Sequence, residues 1–263
     1  MNAQLPPPAA ARTSIRQRAL AGETLLGLFL DLASPLSAEL CGRAGYDWLL
    51  VDLEHGAGTE ADLLSQLLAI EVSGAAALVR PQSGERLRVG RALDLGAAGI
   101  MLPRLGSAAE VREAVTYLRY PPGGVRGVAL RTRGGGLGRV PHAGLHAINE
   151  RVLGIVQIES VGALREADDI AAIDGIDVLF VGPADLSHSL GVPGDFENDV
   201  YVAALDTVIA ACRAHGKAPG ILLYDTAVAA RAIEMGFRFV GIGADGAFVA
   251  NVARSALAAL RPS

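Results

Sequence analysis

Eight short apolar runs, each followed by an amphipathic or loop stretch, recur along the chain, and no other feature restricts its folding as strongly. The runs are Leu25–Leu30, Trp48–Leu53, Ala76–Arg80, Gly99–Leu102, Val152–Ile158, Val178–Val181, Ala218–Leu223 and Phe239–Ile242. They are rich in Val, Ile and Leu and apolar on both faces, as a parallel strand covered on both sides must be. Helical patterns lie between them, at Ala61–Ile70, Arg86–Leu95, Ala108–Leu118, Val200–His215 and Thr226–Met235. Ser34, Thr59, Ser107 and Ser160 stand at N-cap positions, and Gly96, Gly216 and Gly236 at C-cap positions. Eight strand–helix units in 263 residues, with no composition shift to mark a linker, predict an α/β fold: a single-domain (β/α)8 TIM barrel. A doubly wound open sheet is the alternative. The barrel is expected over residues 15–263, behind a disordered tail at 1–14.

Charge and cysteine usage narrow the class. Lys and Arg total 23 against 28 Asp and Glu, a net charge of −5, so no basic field favours nucleic acid. Cys41 and Cys212 cannot build a disulfide framework, which fits a reducing compartment. No apolar run approaches the ~20 residues of a membrane span, and Met1–Ala11 lacks the n- and h-regions of a secretory signal. A cytoplasmic protein with no membrane partner is expected. The rhythm breaks once, over Tyr120–Glu150, where R-T-R-G-G-G-L-G occupies Arg131–Gly138. A loop of that length inside a domain is usually functional or mobile. Its glycines lack the spacing of a phosphate-cradling loop.

Ionisable residues gather just after strand ends, the face on which barrel active sites are built. The second run delivers Asp52, Glu54 and His55, the third ends on Arg80, the fifth on Gln157 and Glu159, and the sixth runs into Asp185. Glu159 and Asp185 alone each read more readily as an acid at the start of a helix. Together they are two hard carboxylates at neighbouring strand ends, a pair suited to Mg²⁺ or Mn²⁺. His55 follows two carboxylates able to orient it and suits proton transfer. Arg80 closes an apolar strand and needs an anion, either a structural carboxylate or a substrate carboxylate or enolate. Asp94, in A-L-D-L-G, reads as a surface acid or as the partner that holds an imidazole tautomer. The other histidines, at 142, 146, 188 and 215, read as surface groups. Lys217 is the chain's one lysine and lies before the seventh run, away from these residues. A Schiff-base mechanism is therefore unexpected.

Six motifs carry a resemblance. They are Gly45–His55 (G-Y-D-W-L-L-V-D-L-E-H), Leu78–Pro81 (L-V-R-P), Tyr120–Gly127 (Y-P-P-G-G-V-R-G), Val156–Glu159 (V-Q-I-E), Phe180–Ser187 (F-V-G-P-A-D-L-S) and Gly216–Leu222 (G-K-A-P-G-I-L). In this order, across residues 15 to 260, the chain resembles the HpcH/HpaI family of class II pyruvate aldolases. The resemblance implies reversible cleavage of a 4-hydroxy-2-oxo acid to pyruvate, or a related 2-oxo acid, and an aldehyde. It implies a divalent cation (Mg²⁺, Mn²⁺ or Co²⁺) on Glu159 and Asp185, and neither PLP nor NAD. Arg80 then stabilises the enolate oxygen, and His55 with Asp94 forms a proton-handling dyad. Asp52 and Gln157 fall at supporting catalytic and substrate-binding positions. The backbone N–H groups of Ala184 and Asp185 hold the substrate carboxylate, and Leu222 contacts substrate. Homo-oligomers are implied too, as hexamers (trimers of dimers) exchanging C-terminal helices, with which the apolar Ala244–Leu260 stretch is compatible.

Two stretches depart from the family pattern. Arg131–Gly138 needs a one-residue gap to align, and Phe29 stands where some relatives carry tryptophan. Both are expected near the aldehyde end of the pocket. Two other readings remain at this level. A malyl- or citryl-CoA-type lyase would need a basic groove for adenosine phosphates. A non-catalytic barrel would be expected to lack one of Glu159, Asp185, Arg80 and His55.

Overall fold

The computed structural model describes residues 13–261. Eight strands close into a barrel in sequence order: β1 (Leu25–Leu30), β2 (Trp48–Asp52), β3 (Ala76–Arg80), β4 (Gly99–Leu102), β5 (Leu153–Ile158), β6 (Val178–Val181), β7 (Ala218–Leu223) and β8 (Phe239–Ala244). Every neighbouring pair is parallel, and β1 pairs with β8, which removes the open-sheet alternative. Compared with the apolar runs, β2 stops one residue early at Asp52, β5 starts one residue late at Leu153, and β8 runs on to Ala244.

The helices begin where the caps predict. Ser34, Thr59, Ser107 and Ser160 each accept a backbone N–H two or three residues ahead. Gly216 ends the helix Asp199–His215 in the left-handed conformation, φ 64°, and Gly236 caps Thr226–Met235. Gly96 lies one residue past the cap of Arg86–Asp94, which is Leu95.

Alternation along each strand builds two layers. Outward residues such as Leu49, Val51, Val79 and Leu179 pack under the helices. Inward residues such as Leu25, Phe29, Trp48, Leu78, Phe180 and Phe239 fill the barrel. The Trp48 indole stacks on Phe239 at 4.6 Å and 8° and meets Phe180 edge-on. It lies across Gly27, where a Cβ would come within 1.9 Å of the ring, so β1 must carry glycine there.

The lower, N-terminal end of the barrel is closed by the helix Ile15–Leu20, whose Ile15 and Ala19 join the interior cluster. Arg16 Nε donates to both oxygens of buried Asp177 at 3.0 Å, and Asp177 also accepts the Gly154 N–H. Ser14, expected within the tail, instead caps this helix with Gln17 in a capping box. Residues 1–12 of the expected tail lie outside the described residues.

The long stretch after Tyr120 folds to the same lower end. Gly134 N–H donates to the Asp94 carbonyl at 3.2 Å, and Arg133 Nε donates to that of Leu95 at 3.1 Å. Arg133 and Gly134, with Ile15, Ala76 and Ala98, line a cavity of about 720 Å³. Arg131–Gly138 therefore does not reach the upper mouth of its own chain, contrary to the expectation that it borders the aldehyde end. The C-terminal helix Asp245–Ala258 buries only Asp245 and leaves Val249, Val252 and Leu257 exposed. Among the described residues no helix is long and apolar enough to cross a membrane.

Candidate active site

Counting inward positions up each strand predicts what the upper mouth holds. Period two places Leu25, Gly27, Phe29 and then Asp31 on one face of β1. It also brings Asp52, Arg80 and Gln157 to the ends of β2, β3 and β5, with Glu159 just beyond β5. Asp52 and Arg80 are register partners. Arg80 Nε donates to Asp52 Oδ1 at 2.9 Å, and Nη2 donates to Oδ2 at 2.5 Å. Nη1 reaches Gln157 Oε1 at 3.4 Å and Glu54 Oε2 at 3.3 Å, and the guanidinium carbon stands 5.3 Å from the Phe29 ring centre. Burial favours the neutral form of Arg80. The hydrogen bonds and charge of Asp52, with the charges of Glu54 and Glu159, outweigh it and hold the group above its ordinary value. Asp52 Oδ1 also accepts the N–H groups of Glu54 at 3.0 Å and His55 at 3.3 Å. One carboxylate thus fixes both the guanidinium and the turn that carries the imidazole.

The remaining acids face a charge imbalance. Glu159 is buried, and its Oε1 accepts the Arg104 N–H at 2.7 Å. Burial pushes its carboxyl up, the Arg104 N–H pulls it down, and the charges of Glu54 and Asp185 push it up again. Gly182 makes room beside it, since a Cβ there would stand 3.1 Å from Glu159 Oε2. Asp185 sits in the first turn of the helix Pro183–Ser189. Asp52, Glu54 and Glu159 face one buried guanidinium, and the charge of Asp185 adds to that of Glu159. That excess of negative charge fits a divalent cation. Among the described residues no three His, Cys, Asp or Glu side chains converge on one point. The residues able to hold such a cation are the hard-oxygen pair Glu159 and Asp185, whose charges act on one another, with other positions open to water and substrate.

Asp31, Asp52, His55, Arg80, Gln157, Ala184, Asp185 and Leu222 all line one cavity of about 960 Å³, with Phe29 and Phe180 in its wall. Asp94 does not. It ends the helix Arg86–Asp94, which returns the chain to the lower end of the barrel, and its Oδ1 accepts Arg126 Nη2 at 3.0 Å. The expected His55–Asp94 dyad is not formed within the chain, because a helix after one strand delivers its last residue to the foot of the next. His55, 64% exposed, instead has Glu54 Oε2 at 3.9 Å from its Nε2. Lys217 lies at the foot of β7 and donates from Nζ to the Ile176 carbonyl at 2.7 Å.

Sequence reasoning missed Asp31, although the period-two count from Leu25 reaches it. Burial, followed by the neighbouring Asp245 carboxyl, raises its pKa to about 6.

A closed parallel barrel whose upper mouth gathers an anchored guanidinium and a surplus of carboxylates has the architecture of a (β/α)8-barrel enzyme. Residues 25–252 match HpcH/HpaI aldolase/citrate lyase, and the chain belongs to that family. The 4-hydroxy-2-oxo-heptane-1,7-dioate aldolases of Salmonella arizonae and Salmonella typhimurium are each 40% identical to it over 236 residues, 89% of this chain and 89% of theirs. Among solved structures, an HpcH/HpaI aldolase/citrate lyase family protein from Burkholderia cenocepacia is 38% identical with a TM-score of 0.89, covering 94% of this chain and 99% of that one. An HpcH/HpaI aldolase from Desulfitobacterium hafniense is 29% identical with a TM-score of 0.88, covering 96% and 98%. The protein is an aldolase-type carbon–carbon lyase, which sets aside the non-catalytic barrel.

Proposed function

We propose that the enzyme reversibly cleaves 4-hydroxy-2-oxo acids to pyruvate, or a related 2-oxo acid, and an aldehyde, and that Glu159 and Asp185 hold the divalent cation the reaction uses. The observation that carries this reading is the Arg80 guanidinium, clamped by Asp52 inside a mouth that otherwise has excess negative charge. Breaking the C3–C4 bond leaves its electron pair on the 2-oxo fragment as an enolate. Arg80, already oriented, meets the enolate oxygen without reorganising. A divalent cation such as Mg²⁺, Mn²⁺ or Co²⁺, when bound, supplies Lewis-acid polarisation of the 2-oxo group.

The first-turn N–H groups of Ala184 and Asp185 orient the substrate carboxylate, as free N–H groups at a helix start do. Gln157 adds an amide, and Leu222 an apolar wall. His55 takes the C4 hydroxyl proton as the bond breaks and returns it in the aldol direction. A brace on His55 from Asp94 must come from a second copy of the chain, since within one chain they stand at opposite ends of the barrel. The exposed apolar face of Asp245–Ala258 supports exchange of that helix within a hexamer. The reading places the enzyme in the cytoplasm, acting on small molecules. A CoA-thioester lyase is less well supported, because among the described residues the arginines lining the cavity are only Arg80 and Arg231.

A panel of 4-hydroxy-2-oxo acids, assayed for pyruvate release with and without EDTA, tests the reading. Release should vanish on chelation and return with Mg²⁺, Mn²⁺ or Co²⁺. Trapping of a covalent pyruvate adduct on Lys217 by borohydride would overturn it.

A further inference from the structure

We infer that Glu54 is the positioning partner of His55 within the chain, coupling the imidazole to the Arg80 guanidinium. The inference rests on the role proposed for His55. The Glu54 side chain is 8% exposed, and its Oε2 is buried without a hydrogen-bond donor among the described residues. An orphaned buried acceptor is costly, and such an atom in a folded protein calls for an explanation. The nearby donors are the two groups central to the chemistry, Arg80 Nη1 at 3.3 Å and His55 Nε2 at 3.9 Å. Catalytic hydrogen bonds are often long in a free enzyme and close when substrate arrives.

The surrounding chain makes that closure a side-chain motion. Asp52 accepts the backbone N–H groups of both Glu54 and His55, so the two Cα positions are set. Arg80 is held by Asp52 through two further bonds. Asp94, the competing partner, already serves Arg126 at the opposite end of the barrel.

Glu54 is faced by Arg80 from β3, His55 and Asp52 from the end of β2, and Arg104 from beyond β4, while Glu159 beyond β5 feels its charge. Burial raises its carboxyl, and Arg80 and then His55 pull it back toward the ionised form. An ionised Glu54 that accepts Nε2–H selects the tautomer whose Nδ1 carries the lone pair. Nδ1 is then the atom that takes the hydroxyl proton, and the resulting imidazolium lies against an anion.

The test compares the full-length enzyme with its Glu54→Gln and Glu54→Asp variants in Mn²⁺. In cleavage, Glu54→Gln should lower kcat at least tenfold with KM nearly unchanged. The acidic limb of its kcat profile should move to lower pH, because the imidazolium loses its neighbouring anion. Glu54→Asp should recover part of both. Exchange of pyruvate methyl protons should fall less than threefold, since Asp52 still holds Arg80.

An NMR titration of the His55 imidazole, identified by its loss in His55→Ala, needs no substrate and separates this inference from the proposed reaction. Its midpoint should drop in Glu54→Gln whichever substrate the enzyme uses. An unmoved midpoint in a folded Glu54→Gln protein overturns the inference. So does a midpoint that moves in Asp94→Asn but not in Glu54→Gln, which would assign the brace to a second subunit. Should Glu54→Gln fail to fold, Glu54→Asp carries the test, because its shorter reach should shift the midpoint in the same direction.

Discussion

Arg80 illustrates how much of this site is decided by single side chains. Its planar fork uses Nε and Nη2 on Asp52 and leaves Nη1 toward Gln157 and Glu54. Lysine supplies a point charge and cannot hold that geometry. Arg80→Lys should therefore lose at least about a hundredfold in kcat, roughly 2.7 kcal/mol of barrier. It should also lose exchange of pyruvate methyl protons with solvent, and unchanged exchange would remove Arg80 from the enolate step. His55→Ala should collapse cleavage turnover by about 100-fold or more while pyruvate binding survives. If turnover stays within about threefold, roughly 0.7 kcal/mol, His55 only positions and another group is the base.

The residues of the mouth were legible because strand periodicity is local. Asp52, Arg80, Gln157 and Glu159 follow from counting alternate positions to a strand end. The His55–Asp94 pairing was not legible. Sequence spacing cannot say to which end of the barrel a helix returns its last residue.

The elements carry the next set of consequences. Caps at Ser34, Thr59, Ser107 and Ser160 were readable because each is a bond between near neighbours. The six-residue helix Ile15–Leu20 is too short to show a period, and its docking depends on Asp177, 161 residues away from Arg16. Similarly, nothing local places Arg131–Gly138 at the lower end.

The first turn of the C-terminal helix has its own chemistry. Asp245 Oδ1 accepts the Asp31 and Gly246 N–H groups, its Oδ2 accepts the Ser37 hydroxyl, and Gly246 N–H also donates to Asp31 Oδ1. With Asp31 raised to about 6 from an ordinary value near 3.8, the folded protein holds a proton there that the unfolded chain releases. Stability from this group is thus full at low pH and falls as pH rises through about 6. Asp31→Asn mimics the protonated form. It should raise the melting temperature at pH 8 and flatten its dependence between about pH 4 and 7, where folded and unfolded Asp31 differ in protonation, as thermal unfolding across that range will show. An equal loss of stability at every pH would refute the proton held on Asp31. In β1, Gly27→Ala should cost about 1–3 kcal/mol or more in denaturant unfolding, because the indole across it has no room to retreat.

For the whole molecule, the ring order divides the mouth in two. The groups assigned to the chemistry come from β2, β3, β5 and β6, while the adjoining arc of β7, β8 and β1 contributes Leu222, Tyr224, Phe29 and Ala244 to the cavity wall. Each arc is carried by its own strand–loop–helix units, so selection or design can work on one while the other stays intact. A library varied at Tyr224 and Val228, which line the same cavity, should retarget the enzyme among aldehydes, read as altered product distributions in the aldol direction. Pyruvate methyl exchange should persist in every folded member, making it a rapid screen for variants whose range has drifted but whose machinery has not.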